Sequence, residues 1–152
     1  MATRREARER ALSLCYELDV RGVDLDTLLE ELPAPPDEYA EEIARGVEAH
    51  REEVDAILRK YSEHWALERM PLVDRAALRI GTYELGWQPD LPSGVVISEA
   101  VELAKQYSTK DSGRFVNGML ARIAEDLRGQ PPVPPDQPEP PDQPEPPEQP
   151  EQ

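Results

Sequence analysis

Between Leu72 and Gly86 the chain is apolar almost all the way round a helical projection. Leu72, Val73, Ala76, Ala77, Leu78, Ile80 and Leu85 leave little polar surface. A helix at the edge of a domain keeps one polar face, so a helix that lacks one is wrapped by others. Pro71 suits the first turn of such a helix. The segment therefore predicts a central helix enclosed by further helices. Asp74, Arg75, Arg79 and Glu84 interrupt it, and must lie on a narrow exposed strip or pair with opposite charge.

The flanking segments supply the enclosing layer. From about Thr3 to Leu18, Ala7, Ala11, Leu14 and Leu18 form one seam at helical spacing. Arg21-Gly22 ends that helix. Asp24 or Asp26 can cap a short helix carrying Leu25, Leu28, Leu29 and Leu32, which Pro33, Pro35 and Pro36 stop. One long helix is expected from Asp37 to about Tyr61, along the stripe Ile43, Val47, His50, Val54, Ile57, Leu58 and Tyr61. Gly46 lets another helix approach it. Trp65 and Leu67 begin a connector that ends at Met70-Pro71, and His64 lies just before it. Ser93 or Gly94 opens a helix with Val96, Ile97, Ala100, Leu103, Ala104 and Tyr107 on its apolar face. A final helix carries Val116, Met119, Leu120, Ile123 and Leu127 and stops at a glycine cap, Gly129. The fold class expected is all-α, a bundle of about seven helices in one domain, residues 1–129.

From Gln130 the composition changes abruptly. Residues 130–152 hold 11 of the 17 prolines, six of the 32 acids and no base. Such a segment cannot bury a core and is expected to be a disordered, extended tail serving as spacer or solubiliser. The whole chain carries −15, and taking away the six tail acids leaves −9 for the rest. A generally basic nucleic-acid coat is thereby excluded, but a local cationic patch is not, because screening confines charge effects to about 8–10 Å. A single cysteine rules out an intrachain disulfide and fits a reducing compartment. No stretch reaches the roughly 20 apolar residues of a membrane span, and the N-terminus lacks a signal-peptide core. These features read as a cytoplasmic protein.

Two stretches have residue types suited to recognition. In the first helix Arg4, Arg5 and Arg8 flank the buried seam with Tyr16, while Glu6, Glu9 and Glu17 lie mostly opposite. Arginine forks bind phosphate in bidentate fashion and tyrosine stacks on an unpaired base. The alternative is a solvated face with i,i+4 pairs such as Arg5 with Glu9. The second stretch is Tyr107 to Leu120, Y-S-T-K-D-S-G-R-F-V-N-G-M-L. Ser108 or Thr109 can cap the last helix and Asp111 suits its first turn. Phe115, the only phenylalanine, falls beside the core stripe on the flank of Asp111 and Arg122. It is either peripheral core or an aromatic for a base or a partner. Cys15 reads as a buried, inert thiol, and His50 as a boundary histidine.

The segment Leu91 to Leu120 closely resembles the C-terminal signature of the NusB family of bacterial antitermination factors. The block D-R-A-A-L-R-I-G-T-Y-E-L (Asp74 to Leu85) and the N-terminal R-R-E-A-R-E-R-A-L-S-L-C-Y (Arg4 to Tyr16) resemble the same family. The three blocks stand in the family's order and span most of residues 3–128. The resemblance implies binding of the boxA element of ribosomal RNA leader transcripts together with the ribosomal protein NusE. Other Nus factors and RNA polymerase would be engaged indirectly. On that basis Arg4, Arg5 and Arg8 neutralise phosphates, and Tyr16 and Phe115 offer aromatic surface. Lys110, Asp111, Ser112 and Arg114 border the same face. Asp74, Arg75 and Glu84 are the expected NusE-facing residues. Glu6 stands within the arginine run where some relatives carry another arginine, which weakens the patch.

No phosphate loop, dinucleotide fingerprint, paired-cysteine metal spacing or nucleophile elbow is present. Glu99 and Glu102 share a helix face without neighbours suggesting acid–base chemistry. The expectation is a binding protein with no cofactor and no metal, not an enzyme. The NusB fold also forms the N-terminal domain of certain rRNA methyltransferases, but the cofactor-binding segment that their catalysis requires is not in this sequence. The remaining alternative is a helical interaction module, a homodimer or NusE binder, with weak or no RNA binding.

Overall fold

A computed structural model describes residues 3–62 and 66–129. The expectations for His64, Trp65 and the tail 130–152 lie outside the described residues. Within them the structure is all-α. Seven helices follow in order: α1 Arg4–Arg21, α2 Leu25–Glu31, α3 Glu38–Ala49, α4 Arg51–Tyr61, α5 Leu72–Trp87, α6 Ser93–Tyr107 and α7 Lys110–Arg128, with a single 3-10 turn at Leu67–Arg69.

The apolar segment is indeed central. Helix α5 packs against α1, α3, α4, α6 and α7. Ala76, Ala77, Leu78 and Ile80 are all buried in the main core, with Ile43, Val47, Val54, Leu58, Met119, Leu120 and Ile123 from the surrounding helices. A smaller cluster of Leu14, Leu18, Leu25, Leu28 and Ala44 fixes α2 against α1 and α3.

Local chemistry sets the helix ends. Thr3 caps α1 in a reciprocal box: its hydroxyl accepts from the Glu6 N–H at 3.0 Å, and the Glu6 carboxylate accepts from the Thr3 N–H at 2.9 Å. Glu6 thus has a structural task within the arginine run. Gly22 closes α1 in the left-handed region at φ 68°, at the Arg21-Gly22 stop expected for this helix. Asp24 caps α2, and Thr109 caps α7 in a box with Ser112.

The long helix expected from Asp37 to Tyr61 is two helices. The chain bends at His50 (φ −112°, ψ 24°), whose ring stacks on Trp87 at 4.4 Å between centroids. The apolar register runs unbroken across the bend, with Ile43 and Val47 on one side and Val54 and Leu58 on the other, so the pattern alone reads as one helix. Gly46 does allow a close approach: a Cβ there would overlap the Tyr83 ring of α5.

The charges of α5 turn inward: Arg75, Arg79 and Glu84 meet opposite charges, and Asp74 accepts from the Ser112 hydroxyl. Asp74, Arg79 and Glu84 are buried, and Arg75 is only slightly exposed. Arg79 holds Asp55 of α4 through Nε at 2.8 Å and Asp19 of α1 through Nη1 at 2.8 Å. Three helices are tied there by a satisfied buried network, which the desolvation cost of each charge makes obligatory.

Candidate RNA-facing surface

Helix α1 distributes its arginines among three environments. Arg8 is buried, 3 % exposed, with Nε 3.1 and 3.2 Å from the two oxygens of Glu84. Glu84 also accepts from the Tyr39 hydroxyl at 2.7 Å. Arg4 lies over the outer face of that tyrosine, its Cζ 4.1 Å from the ring centroid. Burial and the Glu84 charge push the Tyr39 hydroxyl up to about 12. Arg5 is exposed and grips Glu99 of α6, not the Glu9 of its own helix, with Nε at 3.1 Å and Nη2 at 2.9 Å. That hydrogen-bonded pairing raises the Arg5 guanidinium's affinity for its proton.

Two expectations are corrected by this network. Arg8 cannot lie on a surface with Arg4 and Arg5, because its guanidinium is enclosed and its Nε is taken by a buried carboxylate. Asp74 and Glu84 cannot form an outward partner surface: Glu84 holds Arg8 and Tyr39, and Asp74 Oδ2 accepts from the Ser112 hydroxyl at 2.8 Å. Arg75, third of that set, donates to the Leu67 carbonyl at 3.2 Å and lies 3.4 Å from Asp19. Ser112 is buried for the same reason and does not border an exposed face. Asp74 instead anchors the first turn of α7, the turn that carries Lys110 and Asp111.

The remaining expected residues fall along α1, α6 and α7. Tyr16 is 42 % exposed and lines a groove of about 430 Å³ with Glu9, Leu12, Ser13, Val73 and Tyr107. Tyr107 was expected on the core face of α6, but it is 47 % exposed at the last residue of the helix, where it borders that groove opposite open solvent. Two tyrosines over an apolar floor suit a planar, unpaired base. Lys110 and Arg114 line a second groove of about 450 Å³ between α6 and α7, with Lys105, Val101 and Asn117. Gly113 lies in its wall, where a Cβ would run into the Lys105 side chain. Lys110 and Arg114 are exposed and make no ion pair among the described residues. Asp111 is exposed in the first turn of α7, and Phe115 is half-buried against the main core.

Tyr107, Lys105 and Asn117 were missed from sequence. The available signal was the turn itself: α6 and α7 fold back about Ser108-Thr109, so Lys105 comes to face the first turns of α7. Among the described residues no group of three or more His, Cys, Asp or Glu side chains is arranged to hold a metal, and no helix is long and apolar enough to cross a membrane.

Residues 5–125 match the NusB family. The chain belongs to the NusB family. The transcription antitermination protein NusB of Kineococcus radiotolerans is 50 % identical over 129 residues, covering 82 % of this chain and 95 % of that protein. Among solved structures, T. maritima NusB superposes with a TM-score of 0.74 at 37 % identity, covering 82 % of this chain and 92 % of that one. The NusB chain of a complex of antitermination factors NusB and NusE with double-stranded RNA superposes at 0.70 and 32 % identity, over 81 % and 96 %. Both NusB structures span the helical body described above, and the family match runs from Arg5 in α1 to Glu125 in α7.

Proposed function

We propose that this NusB-family chain acts in transcription antitermination by binding single-stranded boxA RNA of ribosomal RNA leader transcripts, jointly with NusE. The observation that carries the reading is a pair of grooves that α6 helps to form, one holding two tyrosines between α1, α5 and the end of α6, the other cationic between α6 and α7. Tyr16 and Tyr107 take unstacked bases, while Lys110, Arg114 and Lys105 take phosphates. Arg4 and Arg5 extend the cationic edge along α1, Asp111 borders it, and Phe115 braces the start of α7 from the core side. Single-stranded RNA suits this arrangement, since its unstacked bases expose faces that a duplex hides. A charge of −9 outside the tail complements a basic ribosomal protein and favours its encounter. Other Nus factors and RNA polymerase would join through that complex. The mechanism is binding, with no catalytic step.

The test is fluorescence anisotropy of a boxA single-stranded RNA with and without NusE. Wild type is compared with Lys110→Ala/Arg114→Ala and Tyr16→Ala/Tyr107→Ala, all at exposed positions. NusE should tighten wild-type binding. The charge variant should lose affinity and flatten the salt dependence by about 1.4 in log–log slope, 0.7 for each phosphate contact on a single strand. The tyrosine variant should lose about tenfold or more with the slope unchanged. Binding that is indifferent to both variants would refute this surface.

A further inference from the structure

The pairing of Arg5 with Glu99 has the geometry of a phosphate contact already satisfied. Two parallel N–H donors of the guanidinium meet two carboxylate oxygens at 3.1 and 2.9 Å. That fork is what arginine offers to a phosphate. The partners differ in exposure: the Arg5 side chain is 58 % exposed, whereas Glu99 is 19 % exposed and backed by α6. A strand arriving from solvent therefore reaches the arginine but cannot displace the carboxylate from its place. To take the Nε–Nη2 edge that Glu99 holds, a phosphate must draw the guanidinium away and leave that carboxylate ionised beside it.

We infer that Glu99 is an internal competitor of RNA, a carboxylate standing in for a phosphate that sets the affinity of the α1 edge from within the protein. The inference rests on the RNA-binding reading above. An exposed bidentate pair is weak enough to exchange, worth up to about 1 kcal/mol, or about fivefold in affinity. The exchange also has a distinctive ionic signature. When Arg5 passes from Glu99 to a phosphate, the RNA releases a condensed cation but the freed carboxylate attracts one, so the net release from this contact is close to zero. With a neutral side chain at position 99 the release is uncompensated.

The experiment titrates boxA single-stranded RNA in the presence of NusE from low to moderate salt. It compares wild type, Glu99→Gln, Arg5→Ala, the double variant, and Glu52→Gln on exposed α4 as a control for net charge. Glu99→Gln should bind about two- to fivefold more tightly at low salt. Its log–log salt slope should steepen by about 0.7, one single-strand phosphate contact. Both gains should vanish in the Arg5→Ala background, and Glu52→Gln should match wild type. Equal or weaker binding by Glu99→Gln would overturn the inference and make Glu99 a residue that positions Arg5 for RNA. A gain that survives in Arg5→Ala, or appears in Glu52→Gln, would overturn it in favour of net charge. Both outcomes leave wild-type RNA binding in place. Absence of RNA binding by wild type and Glu99→Gln alike would instead remove the RNA reading and this inference with it.

Discussion

Tyr39 stands between a buried carboxylate and an exposed guanidinium: its hydroxyl donates to Glu84 and its ring lies under Arg4. Its pKa is raised from 10.0 to about 12 by burial and by Glu84. The fold therefore favours the neutral phenol. The stability this contributes is complete below pH 10 and drains away as pH climbs through 12. Tyr39→Phe should remove that part of the alkaline transition. It should cost about 1.5 kcal/mol at neutral pH, the low end for a hydrogen bond to a charged group, read by urea unfolding at both pH values. Cys15 follows the same sign: burial pushes its thiol up from 9.0 to about 12. A buried thiol in protonated form is a poor nucleophile. Iodoacetamide at pH 8 should label Cys15 only at the rate of unfolding, and labelling of the native protein at the rate of a free thiol would contradict its burial. These residues mark a limit of sequence reading. That Cys15 is inert follows from its place on the α1 seam, but the Arg8–Glu84–Tyr39 chain joins positions 76 and 45 residues apart, and no local pattern announces such a meeting.

At the scale of elements, α1 is held open at its start by a box that uses Thr3 and Glu6. Thr3→Ala should cost about 1 kcal/mol and lower the melting temperature by roughly 4 °C. Glu6→Arg should cost a similar amount through the lost reciprocal bond while adding a cation to the RNA-facing edge. Thermal melts and RNA titration of that one variant separate the two effects, and a melting temperature equal to wild type would refute the capping role. Helices whose ends carry such chemistry were legible from sequence: the cap of α2 to Asp24 or Asp26, that of α7 to Ser108 or Thr109, and the glycine stops at 22 and 129, with the structure selecting Asp24 and Thr109. The division of α3 from α4 was not, because a bend that preserves the apolar register leaves no trace in periodicity. Tyr107 failed for a related reason. Its spacing places it on the core face of α6, but the helix ends there, and its ring borders an open groove shared with Val73 of α5. Of the candidate residues, the exposure of Tyr16, Lys110, Asp111 and Arg114 was readable from sequence. The burial of Arg8, Asp74, Ser112 and Glu84 was not, because spacing reports which residues share a face and not whether that face is covered.

Across the whole molecule, buried charge does what an apolar core alone does not: it specifies which helices meet. Arg79 pairs with Asp19 and Asp55, Arg51 reaches Asp19 at 3.0 Å, and Arg8 meets Glu84, so α1, α4 and α5 are keyed by complementary ions. Arg79→Ala should cost about 3–5 kcal/mol in urea unfolding, because it strands two carboxylates in low dielectric. A loss below 1 kcal/mol would show that water or Arg51 compensates them. Arg128, the last residue of α7, closes the body in another way. It donates to the carbonyls of Glu84, Leu85, Gln88 and Leu91, and to the Ser93 hydroxyl, at 2.6 to 3.2 Å. These carbonyls end α5 and shape the loop into α6, so the exit of the central helix is stoppered by the final turn of the bundle. On the ribosome, where the chain emerges from its N-terminus, α5 appears some forty residues before the side chain that plugs its far end. The bundle is thus assembled from the front and fastened from the back, and a nascent chain halted short of Arg128 waits with its central helix uncapped.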